Sequence, residues 1–129
     1  MTITLTIGAG LVLLNIWLMM RCGKARMAEK VSVGDGGNEF VIRRMRAHSN
    51  FIESAPLVLI LLGALEYSGT NVGWLWVLGI GYVIGRVAHG FGMDGGSLEK
   101  GRMIGTLLTM LVQLALAGTA IWLVYAQIL

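Results

Sequence analysis

Three long stretches of this chain carry no charged side chain: Thr2 to Met20, Asn71 to Gly85 and Met103 to Leu129. Each is close to or above the ~20 residues with which an α-helix crosses the hydrocarbon layer of a bilayer. A fourth apolar run, SAPLVLILLGAL, follows without a turn signal from the charged segment EFVIRRMRAHSNFIE, Glu39 to Glu53. Such segregation predicts an all-α membrane protein, a four-transmembrane-helix bundle. Its helices are expected at about 2–20, 39–67, 72–90 and 102–127, within a single domain covering residues 1–129. Composition agrees, because 56% of the residues are hydrophobic and only 13% charged, too apolar for an ordinary soluble domain.

The first run lacks a basic leading segment and its apolar part is long, so it is read as a retained helix rather than a cleaved signal. A single cysteine, Cys22, excludes a disulfide within the chain and reads as a passive residue at a helix end. The net charge of +3 gives no reason to expect nucleic acid as a partner. Its distribution is more informative. Seven of the ten basic residues fall between Arg21 and Arg46, and the other three are Arg86, Lys100 and Arg102. The positive-inside rule then places both long loops in the cytosol and both termini outside. Tyr67, Trp74, Trp76, Trp122 and Tyr125 fall at the opposite ends of their helices, where an interfacial belt belongs.

Between helices one and two, GDGG at Gly34 to Gly37 reads as a flexible turn. It is not a phosphate cradle, since no strand precedes it and no P-loop lysine follows. Pro56 predicts a bend in helix two. Glycines at 79, 81 and 85 permit a close contact of helix three with a neighbour.

Helix two carries the candidate chemistry. At ~100° per residue, Arg43, Arg46, Asn50 and Glu53 lie within a sector of ~80°, with Arg44 and His48 on the other side. Arg43 and Arg44 at the membrane edge read first as headgroup anchors. Glu53 lies deeper, where an isolated charge costs on the order of 3 kcal/mol. Arg46 and Asn50 are within reach on the same face, and a structural ion pair is the competing reading. The topology brings this face to the inner ends of helices three and four, with Arg86, His89 and Arg102. Thr106, Thr109 and Gln113 share a face with Arg102; the threonines are expected to bond their own backbone and Gln113 to link helices. Arg102 opens helix four, where the helix dipole favours anions. No metal is expected, because no second histidine stands at ligand spacing from His89. Ser49 and Ser54 have no oriented base. What the cluster suits is an anion with carboxylates and an amine, gripped by arginines and by Glu53.

These residues carry a resemblance. RRMRAHSNFIE, with its RxxRAxxNxxE pattern, GRVAH at Gly85 to His89 and a basic residue opening helix four resemble the MAPEG family, the membrane-associated proteins of eicosanoid and glutathione metabolism. GDGG before helix two is similar to the bacterial branch of that family. The resemblance implies a homotrimer with glutathione as co-substrate at subunit interfaces open to the cytosol, in a bacterial inner membrane. It implies that Arg46, Asn50 and Glu53 hold the tripeptide with His89 near it, that Lys24 or Arg26 adds a basic contact from the end of helix one, and that Arg102 stabilises the thiolate. Arg43 and Arg86 join this site by their place in the cluster. Two tyrosines of better-known members are Met93 and Thr106 here, and an arginine before the motif asparagine is Ser49. These departures point away from prostaglandin or leukotriene chemistry. The resulting expectation is a glutathione transferase, with peroxidase activity as a companion, acting on apolar electrophiles from the bilayer. The competing expectation is a non-catalytic bundle, either an assembly module or an anion or glutathione carrier.

Overall fold

The computed structural model describes residues 1–128, which form four long helices. Helix α1 spans Thr2–Ala28, α2 Glu39–Tyr67, α3 Val72–Gly92 and α4 Glu99–Ile128, with a 3-10 turn at Gly96–Leu98 before α4. All four are long and apolar enough to cross a membrane. The boundaries depart from expectation on the basic side. Helix α1 runs past Met20 through Arg21, Lys24 and Arg26 to Ala28. Long basic side chains keep their stems on the helix and their heads in water, and cations favour a helix C-terminus. Helix α4 begins three residues before Arg102, which therefore closes its first turn.

Local chemistry fixes the connections. Asn38 caps α2 by accepting from the backbone N–H of Phe40 at 2.9 Å and Val41 at 3.2 Å. Asn71 caps α3 through Trp74 N–H at 2.9 Å. In the turn before α2, Gly36 at φ 60° passes close to the Val31 side chain, a conformation that disfavours any Cβ. Helix α2 runs on through Pro56. At the other membrane face its residue Glu66 accepts from the N–H groups of Ile3 at 2.9 Å and Thr4 at 2.8 Å, capping the start of α1.

The core gathers Leu11, Leu14 and Leu18 of α1 with Phe51, Val58 and Leu62 of α2, Leu75, Leu78 and Tyr82 of α3, and Leu116 of α4. Leu13, Ile60, Val77 and Leu114 point outward, as a lipid-facing surface requires.

Helices α3 and α4 meet backbone to backbone. A Cβ on Gly92 would overlap the backbone of Gly101 and Arg102, and one on Gly105 would overlap Gly85 O and His89 N. Of the glycines expected to pack, Gly85 is in this seam, Gly81 makes only ordinary contact with Val112, and Gly79 faces Ile7 of α1. Lipid offers no hydrophobic drive for helix association, so close backbone packing takes its place.

Gly105→Leu forces that seam apart and is expected to cost about 3 kcal/mol, the upper range for overpacking. Gly118→Leu, where nothing lies within 4 Å, is expected to leave stability unchanged. Thermal unfolding of both variants in detergent, followed by circular dichroism, checks the contrast.

Candidate functional site

The packed seam sets Thr109 of α4 opposite Arg86 of α3. Arg86 is only 2% exposed, and its Nη1 donates to Thr109 Oγ1 at 3.3 Å. The Thr109 hydroxyl in turn donates to Gly105 O at 2.8 Å. The Nε and Nη2 groups of Arg86 have no partner among the described residues. A buried guanidinium normally has a carboxylate beside it, because desolvating the charge alone is costly. This one does not.

Arg86 instead borders a cavity of about 260 Å³ between α2 and α4. Helix α2 contributes Asn50, Glu53 and Ser54 to its wall, and α4 contributes Thr106, Thr109, Met110 and Gln113. Ser54 Oγ pairs with Tyr82 Oη at 2.6 Å, so a buried phenol backs the wall behind Asn50 and Glu53. Gln113 also borders a second, apolar cavity of about 260 Å³ formed with Leu57, Leu61, Leu116 and Ala117. The α2–α4 groove is thus polar toward the basic end of the bundle and apolar beyond Gln113.

Three of the expected site residues, Asn50, Glu53 and Arg86, come together here. Glu53 is exposed on the single chain, and among the described residues neither Arg46 nor any other cation pairs with it. The structural ion pair, the competing reading of Glu53, is therefore not formed among the described residues. Arg46 is exposed on α2. Arg102 is exposed too and lies 3.9 Å from Glu99. His89 is buried against α4 at Gly105, with its Nδ1 unpartnered among the described residues. Arg43 pairs with Glu39 at 3.0 Å and Arg44 with Asp94 at 3.2 Å, so both have structural partners besides any headgroup. Arg26 borders a different cavity, between α1 and α2.

Thr109 bonds its own backbone as expected, at Gly105 O, and in addition accepts from Arg86. Thr106 behaves as expected and bonds the carbonyl of Arg102 at 2.9 Å. Arg21, in the sequence one of the basic residues that orient the chain, has a structural role as well. It donates to Gly90 O at 2.8 Å, pairs with Asp94 and lies 4.6 Å from the Trp17 ring centroid. The pattern of basic residues could not distinguish this clasp of α1 to the end of α3 from a solvated charge.

The model of the MAPEG family matches residues 4–122. The chain belongs to the MAPEG family. It is an integral membrane protein by that membership and by its four spanning helices. Among curated relatives it is similar to the inner membrane protein YecN of Escherichia coli strain K12, and to YecN of Escherichia coli O6:H1 strain CFT073. The identity is 30% over 69 residues in each case, covering 54% of this chain and 53% of the relative. The chain thus matches about half the length of these relatives. No solved structure matches it significantly.

Replacing Arg86 by Met, which is similar in length but uncharged, separates a structural role from a ligand-binding one. Removing an uncompensated buried charge is expected to stabilise the fold by about 1–4 kcal/mol while abolishing anion binding in the cavity. Thermal midpoints and anion titrations on the same preparations check both halves.

Proposed function

We propose that this MAPEG chain is a membrane-bound glutathione transferase with an accompanying peroxidase activity, working as a homotrimer with its sites open to the cytosol. The observation that carries the reading is the unpaired Arg86 guanidinium beside a cavity that also holds Asn50 and Glu53. Such a cavity offers a cation and a carboxylate, neither neutralised by another described residue. Its complement is a zwitterion with a carboxylate for Arg86 and an ammonium for Glu53, and glutathione has both.

The exposure of Glu53 supports assembly. A carboxylate on the outer face of a membrane helix is costly in lipid, and a second and third copy packed against α2 and α4 would cover it. Those copies would also bring the exposed Arg46 and Arg102 of neighbouring chains to the cavity rim.

The chemistry then follows from the thiol. A free thiol with pKa ~8.5 is mostly protonated at neutral pH, and the thiolate is the nucleophile. Arg102 in the first turn of α4 adds a guanidinium to the positive end of the helix dipole. Each unit by which they lower the thiol pKa is worth ~1.4 kcal/mol. In conjugation the thiolate sulfur bonds to an electrophilic carbon and the leaving group departs as its anion. In reduction it attacks the outer oxygen of a hydroperoxide, the O–O bond breaks, and the alkoxide leaves and is protonated to the alcohol. A second glutathione thiol then converts the resulting sulfenic acid to disulfide and water. The apolar continuation of the groove at Leu57, Leu61 and Leu116 lets a membrane-dissolved electrophile enter the groove from an apolar surrounding before it meets the polar end.

Calorimetry with glutathione on detergent-purified protein tests the reading, paired with turnover of 1-chloro-2,4-dinitrobenzene. Glu53→Gln is expected to weaken glutathione roughly tenfold to a hundredfold, the worth of one charge-assisted hydrogen bond. Arg102→Ala is expected to spare binding but remove the thiolate absorbance and the turnover. Full turnover in Arg102→Ala would take that residue out of the mechanism.

One observation favours the second reading, a carrier without catalysis. Met93 packs against the core and Thr106 bonds its own helix, so neither position offers the phenol found in better-known members. Glutathione binding with no conjugation or peroxide reduction would establish the carrier.

A further inference from the structure

A recess of about 250 Å³ between α1 and α3 shares no residue with the cavity between α2 and α4. Gly10, Leu14 and Trp17 line it from α1, and Val83, Val87 and Phe91 from α3, each set at steps of three or four residues. The next step along each helix is charged. Arg21 follows Trp17 on α1, and Asp94 follows Phe91 just past the end of α3. We propose that this groove is a binding site for one anionic diacyl phospholipid, with an acyl chain on the apolar wall and the headgroup phosphate at Arg21 and Arg44.

The apolar part has the dimensions of an acyl chain and not of a helix. From Gly10 to Trp17 is about 10 Å along α1, so a recess of this volume has a cross-section of about 25 Å². A neighbouring helix, about 10 Å across, needs roughly three times that. From Gly10 to Arg21 the rise is about 16 Å, half of the ~30 Å hydrocarbon layer. With Arg21 at the headgroups, the groove covers one leaflet and no more. Gly90 shapes its floor. A Cβ there would overlap the Trp17 ring, so its absence lets the indole lie against α3, 5.0 Å from the Phe91 ring. At Gly10 a Cβ would meet nothing within 4 Å, which leaves the deep end of the groove open. Val87 and Phe91 are exposed on its rim.

Charge selects the headgroup. The Arg21 guanidinium lies 4.6 Å from the Trp17 ring centroid and 5.4 Å from that of Phe91, on the last apolar residues of the groove. Asp94 pairs with both Arg21 and Arg44. One carboxylate cannot neutralise two guanidiniums, so the cluster keeps an excess of positive charge beside the apolar slot. An anionic phosphodiester headgroup supplies the missing charge, whereas a zwitterionic one brings its own cation with it. The slot and the cationic end are continuous, which suits a lipid better than a free anion.

Native mass spectrometry of the detergent-purified, delipidated chain tests the site, with dioleoyl phosphatidylglycerol, dioleoyl phosphatidylcholine and glycerol 3-phosphate as probes. Wild type is expected to hold one phosphatidylglycerol per chain, about tenfold more tightly than phosphatidylcholine, and no glycerol 3-phosphate at equal concentration. Arg44→Gln leaves the Arg21–Asp94 pair in place and removes the excess charge, so the preference for phosphatidylglycerol should fall about fivefold. Gly10→Leu fills the slot and should weaken both lipids at least tenfold. Lys30→Gln, the same charge change beyond the end of α1, should bind as wild type does. Circular dichroism separates lost lipid from misfolding, and should a variant misfold, the comparison of the two lipids on wild type still decides. Equal affinity for the two lipids, glycerol 3-phosphate held as tightly as the lipid, wild-type retention in Gly10→Leu, or equal losses in Lys30→Gln and Arg44→Gln would each overturn the proposal. So would a change of oligomeric mass in Gly10→Leu, which would make the groove a contact between copies. No glutathione is present in these measurements, so they stand whatever the outcome at the α2–α4 cavity.

Discussion

The contact between α3 and α4 decides most of what this bundle can do. Gly85 and Gly92 on one helix and Gly101 and Gly105 on the other allow the two backbones to touch. At that separation Thr109 reaches Arg86, and the guanidinium is held inside the protein instead of snorkelling to water. The same closeness buries His89 beside Gly105. With side chains in place of these glycines, Arg86 would have room to turn outward. The buried cation, and the cavity it borders, follow from the absence of four Cβ atoms.

A cation so placed is a cost to the isolated chain, and so is a carboxylate on its outer surface. Arg86 and Glu53 border one cavity without neutralising each other. Two charges of opposite sign, neither met by a described residue, thus line one recess. The groove turns apolar at Gln113, where Leu57, Leu61 and Leu116 take over from Asn50, Glu53 and Ser54. Polar and apolar walls therefore lie end to end along α2. The opposite side of α2 builds the separate cavity with Cys22, Arg26 and His48. One helix thus serves two recesses, back to back.

Much of this was legible in the sequence. The uncharged runs located all four helices, since no other feature accounts for such lengths without charge. The helical spacing of Asn50 and Glu53 placed them on one face, and the structure sets both on one cavity wall. Other features were hidden. Arg46 and Glu53 share a face and remain unpaired, because a common sector does not bring two side chains to bonding distance. Arg21 and Asp94 are far apart in the chain, so their pairing depends on how α1 and α3 pack. Glu66 as a cap for α1 was invisible for the same reason.

The sequence alone determined the number of spans, their order and the clustering of basic residues at one end, because hydropathy and charge act through the local solvent and need no partner. It also determined which residues share a helix face, because the helical repeat is fixed. Only the tertiary structure decided which faces meet. It left Arg86 unpaired, exposed Glu53, and turned His48 toward Met19 and Cys22. Those outcomes depend on interhelical distance and rotation, which the glycine contacts and buried side chains set together and no single segment encodes.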